Sequence, residues 1–199
     1  MPGHFEALPG GGAAVALDEV EISILRSLAV QLLELIGPGD EPAEGEDPLA
    51  ALFAEGPSEP PSDPALARLF PDAYGGPGAD AAENAEQLQE FAAEFRRYTE
   101  NDLRARKRDD ALAVVRNLDA LTVEGEGGAV LKLTADDSRH WLGALNDLRL
   151  TIGTRLEVTD EDEGDELYRL PDSDPRKPMV MAYLWLGALQ ETLVETLMS

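Results

Sequence analysis

Cysteine is absent from the chain. That absence removes structural disulfides, thiolate metal sites, thiol catalysis and thiol redox sensing together. Positive charge is scarce: 16 Lys plus Arg stand against 40 Asp plus Glu, a formal net charge of −24. A field of that sign repels polyphosphate, so whole-surface binding to nucleic acid or to an anionic membrane is disfavoured, while solubility and basic partners are favoured. Histidine is limited to His4 and His140, and no further ligands follow either at the spacing a zinc site needs. Long hydrophobic runs are missing too. The longest apolar stretches, Ile22 to Ile36 and Met179 to Met198, are interrupted by Glu34, Glu191 and Glu195, each costly inside a bilayer. The start MPGHFEALPGGGAAVAL has no basic n-region, so neither a signal peptide nor an anchor is expected. The GxSxG elbow, the phosphate-binding GxxxxGK loop and GxGxxG are absent as well. The expectation is a soluble, cytoplasmic, non-enzymatic protein with no catalytic residues, metal or cofactor.

What is present is helical pattern. The stretch Ser138 to Thr159 places Trp141, Leu145, Leu148, Ile152 and Leu156 at steps of four, three, four and four, one face of a helix. Gly143 and Leu150 form a second stripe, bordered by Asn146 and Gly153, so two partners are expected to pack on it. Thr134 with Asp137 makes a capping-box-like start. Asn146, Asp147 and Arg149 form its polar heart. Arg149 borders the Trp141 face, so its guanidinium is expected to need a carboxylate partner, the group being read as an architectural lock between helices or subunits.

Around that helix the chain, at 199 residues, fits one domain spanning 1–199. Two short apolar runs flank PGGG between Phe5 and Leu17 and predict a β-hairpin. Asp18 with Glu21 opens a helix carrying Ile24, Leu25, Leu28, Leu32, Leu35 and Ile36, ended by Gly37-Pro38. Residues 37–63, rich in Pro, Gly and acid, predict a flexible linker, with LAALFA at 49–54 the one helix-forming fragment. Asp63-Pro64 starts a short helix ending at Pro71, and GGPG at 75–78 breaks the chain again. Between Asp80 and about Leu121 the recurrence of Leu88, Ala92, Phe95 and Thr99 at helical spacing predicts a long helix, then a second from near Asp109 with Leu112, Val115, Leu118 and Leu121 inward. LTVEGEGGAVLKL predicts a second hairpin pairing 121–123 with 129–133, which is expected to complete a small sheet with the N-terminal hairpin.

The last helix, MVMAYLWLGALQETLVETLM, is apolar around most of its circumference and carries Tyr183 and Trp185. It is expected to be central or to lie in a subunit interface, which suggests a homodimer. Met179, Met181 and Met198 are expected to pack in the core. The fold class is thus mainly α, a multi-helix domain of about five main helices with one or two small β-hairpins. The residues singled out as structural or interface candidates are Trp141, Asn146, Asp147, Arg149, Leu150, Tyr183 and Trp185.

Two charge clusters invite functional readings. Residues 157–177 form an acidic loop, and Asp160 with Asp162 has calcium-loop spacing. Gly164 then falls one place early and Pro171 replaces the closing glutamate, so a solvated loop is favoured. Seven of the 16 basic residues lie between 96 and 116. Arg96, Arg97, Arg104, Arg106, Lys107 and Arg108 are the candidates for contacting nucleic-acid phosphate or an acidic partner. The alternative favoured here is that they pair with Glu90, Glu94, Glu100 and Asp109 along their own helix, or with the acidic loop.

Several composite stretches carry a family resemblance: the FE hairpin start with LDEVEISILRSLAVQLLELI, DPALARLFPDAY at 63–74, EFRRYTENDLRARK at 94–107, WLGALNDLRLTIGTRLEVT at 141–159 and YLWLGALQETLV at 183–194. With these the chain resembles an actinobacterial family long described as a domain of unknown function and now named after an oxidative-stress transcriptional regulator, AosR. The resemblance implies a cytoplasmic regulatory protein acting through protein contacts. It further implies a redox-linked member that cooperates with an alternative sigma factor to raise cysteine-biosynthesis genes, and genes neighbouring Clp-adaptor and cysteine-synthesis functions. A disulfide sensor needs two cysteines, so thiol sensing does not carry over to this sequence. Two alternatives stand beside the regulator that works with a sigma factor or RNA polymerase. One is direct DNA binding through 96–116, and the other is small-ligand binding in a helical pocket near Arg149.

Overall fold

A computed structural model describes residues 3–38, 55–74, 84–122, 128–158 and 169–198. Five helices and one three-stranded sheet make up these residues, so the fold is mainly α. The order is β1 (Glu6–Ala7), β2 (Ala13–Asp18), α1 (Glu19–Ile36), α2 (Pro64–Leu69), α3 (Ala85–Asp119), β3 (Gly128–Leu133), α4 (Ala135–Arg155) and α5 (Lys177–Leu197).

The caps read from the sequence are formed. The Asp18 carboxylate accepts from the Glu21 amide at 2.7 Å while the Glu21 carboxylate accepts from the Asp18 amide at 2.9 Å, the reciprocal box that starts α1. Thr134 and Asp137 form the same arrangement at α4. Asp63 caps α2 ahead of Pro64. Gly37 closes α1 at φ +82°, a conformation a side chain would strain, and its amide returns to the Leu33 carbonyl.

The N-terminal hairpin forms, with Glu6 opposite Ala14 and Ala7 opposite Ala13. The second hairpin is corrected. Residues 128–133 pair antiparallel with β2, Ala13 opposite Leu133 through Asp18 opposite Gly128, and Leu121 and Thr122 lie outside any strand. Alternation explains the choice: β2 buries Ala13, Val15 and Leu17, β3 buries Leu131 and Leu133, and pairing them gives one apolar face.

The expected break near Asp109 is absent, and α3 runs unbroken for 35 residues. Nothing between 100 and 116 is a helix breaker, and Arg104, Lys107, Arg108 and Asp110 bond to neighbouring elements. On its inward face Ala92, Arg96 and Glu100 are buried, whereas Phe95 is exposed. Further along, Ala111, Val114 and Leu118 face the core, with Leu112 and Val115 only partly buried.

The predicted stripe of α4 is observed whole: Trp141, Leu145, Leu148, Ile152 and the capping Leu156 are buried. This helix touches α1, α2, α3, α5 and β3, more elements than any other. Burying five large apolar side chains at about 2 kcal/mol each makes it the chief apolar anchor of the fold. In α5, Val180, Leu186, Leu189 and Leu193 face inward. Met179, Met181 and Met198 are exposed, against the expected core role. They sit at the ends and outer side of the helix, where no described element covers them.

The 37–63 stretch is described only at its ends, and at the far end the Gly56 amide donates to the Arg97 carbonyl while Glu55 pairs with Arg97. LAALFA at 49–54, GGPG at 75–78 and the 159–168 part of the acidic loop, with Asp160, Asp162 and Gly164, lie outside the described residues. No described helix is long and apolar enough to cross a membrane.

Candidate functional site

The basic run of the long helix α3 meets the polar side of α4, and charge is concentrated there. Lys107 Nζ donates to Asp147 Oδ1 at 2.6 Å. One turn further along α3, Asp110 Oδ1 meets His140 Nδ1 at 2.7 Å. Another two turns on, Asn117 Oδ1 accepts from Trp141 Nε1 at 2.8 Å, while the Trp141 ring meets Phe5 edge-on at 6.1 Å. Gly143 makes the seam possible, because an alanine Cβ there would stand 3.0 Å from Asp110 Cγ and closer still to Oδ2. Burial pushes the Asp147 carboxyl up, Lys107 pulls it back, and the neighbouring Asp110 pushes it up again. Asp110 is also raised, first by burial and against the pull of His140, Lys107 and Arg106.

Toward the start of α3 lies a second network. Arg96, with 5% of its surface exposed, donates to Glu100, to the Phe70 carbonyl at 2.9 Å and to Asp72 at 2.7 Å. Burial lowers its pKa, but the two carboxylates more than offset this. Arg104 donates to Glu100 at 2.6 Å and to the Ile36 carbonyl, and lies 4.5 Å over the Phe70 ring. Arg108 donates to the Gly37 carbonyl. The last turn of α1 has no basic residue of its own, so these two guanidiniums supply the positive charge that its C-terminal carbonyls favour. Arg97 pairs with Glu55 at the surface. Of the six candidate contacts for nucleic acid, only Arg106 is exposed with no ion pair among the described residues. Among the described residues the expected own-helix pairing is seen for Glu100 alone, and the other partners are remote in sequence.

The polar heart of α4 is not one cluster. Asp147 points to α3, Asn146 is exposed, and Arg149 turns to α5. Arg149 finds no carboxylate among the described residues. Its Nη1 donates to Gln190 Oε1 at 2.6 Å and its guanidinium lies 5.4 Å over the Tyr183 ring, so a neutral carbonyl and a π face replace the expected ion pair. Its Nε is buried without a hydrogen-bond partner among the described residues, as is Trp185 Nε1. Gly153 lets the Tyr183 ring approach, a Cβ there meeting it at 3.2 Å, and Leu150 packs at the edge of the core. An open cleft of about 670 Å³ lies here, with Arg149, Tyr183, Gly187, Gln190, Glu191 and Glu195 along it.

Sequence reasoning did not single out Asp72, Asp110 or Gln190. Each acts on a residue 24 to 41 positions away, so helical spacing carries no signal of it. Among the described residues no group of three acidic or histidine side chains could hold a metal ion. The arrangement is one of ion pairs and caps joining helices.

Comparison with known proteins agrees with the resemblance. Residues 3–197 match the family described as a domain of unknown function, DUF2017. Proteins of Mycobacterium bovis and Mycobacterium tuberculosis, each named oxidative stress regulator AosR, are 34% identical over 182 residues, 89% of this chain and 78% of those proteins. A Mycobacterium leprae protein named for the same regulator is 31% identical over 186 residues, 90% of this chain and 79% of its own length. No solved structure matches the chain significantly. With the match running from the first strand to the end of α5, the chain belongs to the DUF2017 family, that of the oxidative stress regulator AosR.

Proposed function

We propose that this chain is a cytoplasmic, non-enzymatic regulatory protein of the oxidative-stress type, working through contacts with other proteins. The observation that carries this reading is the name of its relatives, oxidative stress regulator, matched over 89% of the chain. Without cysteine, its trigger is not a disulfide. Its partner is a component of the transcription apparatus, a sigma factor or RNA polymerase, and the net charge of −24 favours a basic surface on that partner. Self-association through the exposed apolar edge of α5 belongs to the same reading, and light scattering that gives a clean monomer at micromolar concentration would remove that part.

Direct DNA binding through 96–116 is weakened by the inward engagement of Arg96, Arg104, Lys107 and Arg108, which leaves little charge for counterion release. The cleft beside Arg149 favours a second reading, a small ligand held between α4 and α5. A tagged chain recovered from native cytosol, analysed by mass spectrometry, separates these readings. Enrichment of sigma factor or polymerase subunits supports the proposal. Recovery of a tightly bound metabolite and no transcription component would replace it with the second reading.

A further inference from the structure

Five Phe and four Tyr are present in the chain, and four of the nine stand together on the surface. Phe91, Phe95 and Tyr98 follow one another along α3 at steps of four and three, and Tyr74, at the end of the described stretch after α2, joins them. Tyr74 meets Phe91 at 6.1 Å and Phe95 at 6.0 Å, both edge-on, so the rings form one patch. Tyr74, Phe91 and Phe95 are each 46% exposed and Tyr98 63%. At roughly 200 Å² per aromatic side chain, about 400 Å² of ring surface is bare. That falls within the size of the largest patches on soluble monomers, which are often functional.

The same turns of α3 bury Arg96 and Glu100. A helix that buries an ion pair and exposes two Phe and a Tyr inverts the ordinary arrangement, and the core gains nothing from it. Continuing along the outer face come exposed Asp102 and Asp109, with Glu94 on the flank; Arg106, near its border, offsets part of this charge. An apolar stripe leading into acid has a definite complement. The geometry points to this face as the docking surface for an amphipathic basic helix of a partner protein. Its apolar side covers the four rings, and its Lys and Arg meet Glu94, Asp102 and Asp109. This inference rests on the protein-contact reading above and gives that reading a surface.

The test uses the full chain and two synthetic helical peptides with the same leucine pattern, one with lysine and one with glutamate at the polar positions, followed by fluorescence anisotropy. The lysine peptide is expected to bind. Phe91→Ala/Phe95→Ala should weaken it at least tenfold, and Glu94→Lys/Asp102→Lys should weaken it and shift preference toward the glutamate peptide. Glu94 and Asp102 are exposed, and circular dichroism confirms folding of each variant. Unchanged affinity in both variants overturns the inference, as does equal binding of both peptides by the unaltered chain. Concentration-dependent dimerisation lost in the Phe variant would assign the face to a second copy. Binding seen only after deletion of 39–54 would assign it to the chain's own segment. Failure here with sigma factor still recovered from cytosol refutes the surface and leaves the proposed function standing.

Discussion

The Lys107–Asp147 pair tests how α3 and α4 are held together. The two side chains are 14% and 3% exposed and meet at 2.6 Å. Removing one partner of a buried pair costs about 3–5 kcal/mol, because the survivor is left charged away from water; replacing both by apolar groups of similar size is close to neutral. The two ends are not equivalent. In Asp147→Ala the lysine stem can carry its ammonium toward solvent, so a loss of about 2 kcal/mol is expected, below that range. In Lys107→Met the carboxylate has no such route, and about 3 kcal/mol is expected at neutral pH. The pH dependence follows from the raised Asp147 pKa. Loss of Lys107 raises it further, so the folded variant holds a proton more tightly than the unfolded chain. The penalty is therefore absent below the unfolded carboxyl pKa of 3.8 and grows as pH rises through the folded one. Asp110 faces the same pair, so an Asp110→Asn background separates its contribution. Urea unfolding at neutral and at mildly acidic pH is the assay. With an m-value of about 2 kcal/mol per molar, Lys107→Met should lower the neutral midpoint by about 1.5 M and the acidic one by less. Lys107→Met/Asp147→Leu should recover most of the loss. A Lys107→Met shift below about 0.5 M, or one equal at both pH values, refutes the reasoning.

Gly143→Ala should push Asp110 away from His140 and lower the melting midpoint by about 2–10 °C, read by calorimetry. Arg149→Ala, losing the Gln190 bond and the Tyr183 ring contact, should lower stability by about 1–3 kcal/mol before it affects function. A variant of full stability that loses function would instead make Arg149 a binding residue. Arg96→Leu, which leaves buried Glu100 with Arg104 alone and strips the Phe70 carbonyl and Asp72 of their donor, should cost about 2–3 kcal/mol in urea unfolding, whereas Arg106→Ala should stay within about 0.5 kcal/mol. Dilute peroxide should convert Met179, Met181 and Met198 to sulfoxide in the folded protein with the circular dichroism spectrum retained, since none of the three packs in the core.

Local rules made much of the fold legible. The caps at Asp18, Asp63 and Thr134 need only neighbours three positions away, and the α4 stripe needs only the helical period. That residues 128–133 join the N-terminal hairpin in one small sheet was legible, but their pairing with 121–123 was not what forms, because only the assembled apolar face selects β2. The candidate site was legible as a set of charged residues and not as a set of pairs. Lys107 reaches across 40 positions to Asp147, and no periodicity encodes that distance. For Arg149 the sequence showed the need for a partner but not that a glutamine and a tyrosine would serve.

Hydrophobicity alone does not set the inward face of α3, for reasons that lie outside that helix. A stripe through Phe95 looks inward by composition, yet α1 ends without a cation of its own and presents the Ile36 and Gly37 carbonyls to α3. Turning Arg104 and Arg108 toward those carbonyls fixes the rotation of α3, since residues four and eight positions earlier share that face. Arg96 and Glu100 come inward with them, and Phe91, Phe95 and Tyr98 are carried out. The same rotation spends the basic segment internally and leaves acid outside. An exposed aromatic stripe bordered by carboxylates is thus a direct consequence of how α1 is capped. Replacing Arg104 and Arg108 should disturb that stripe as well as the α1 terminus.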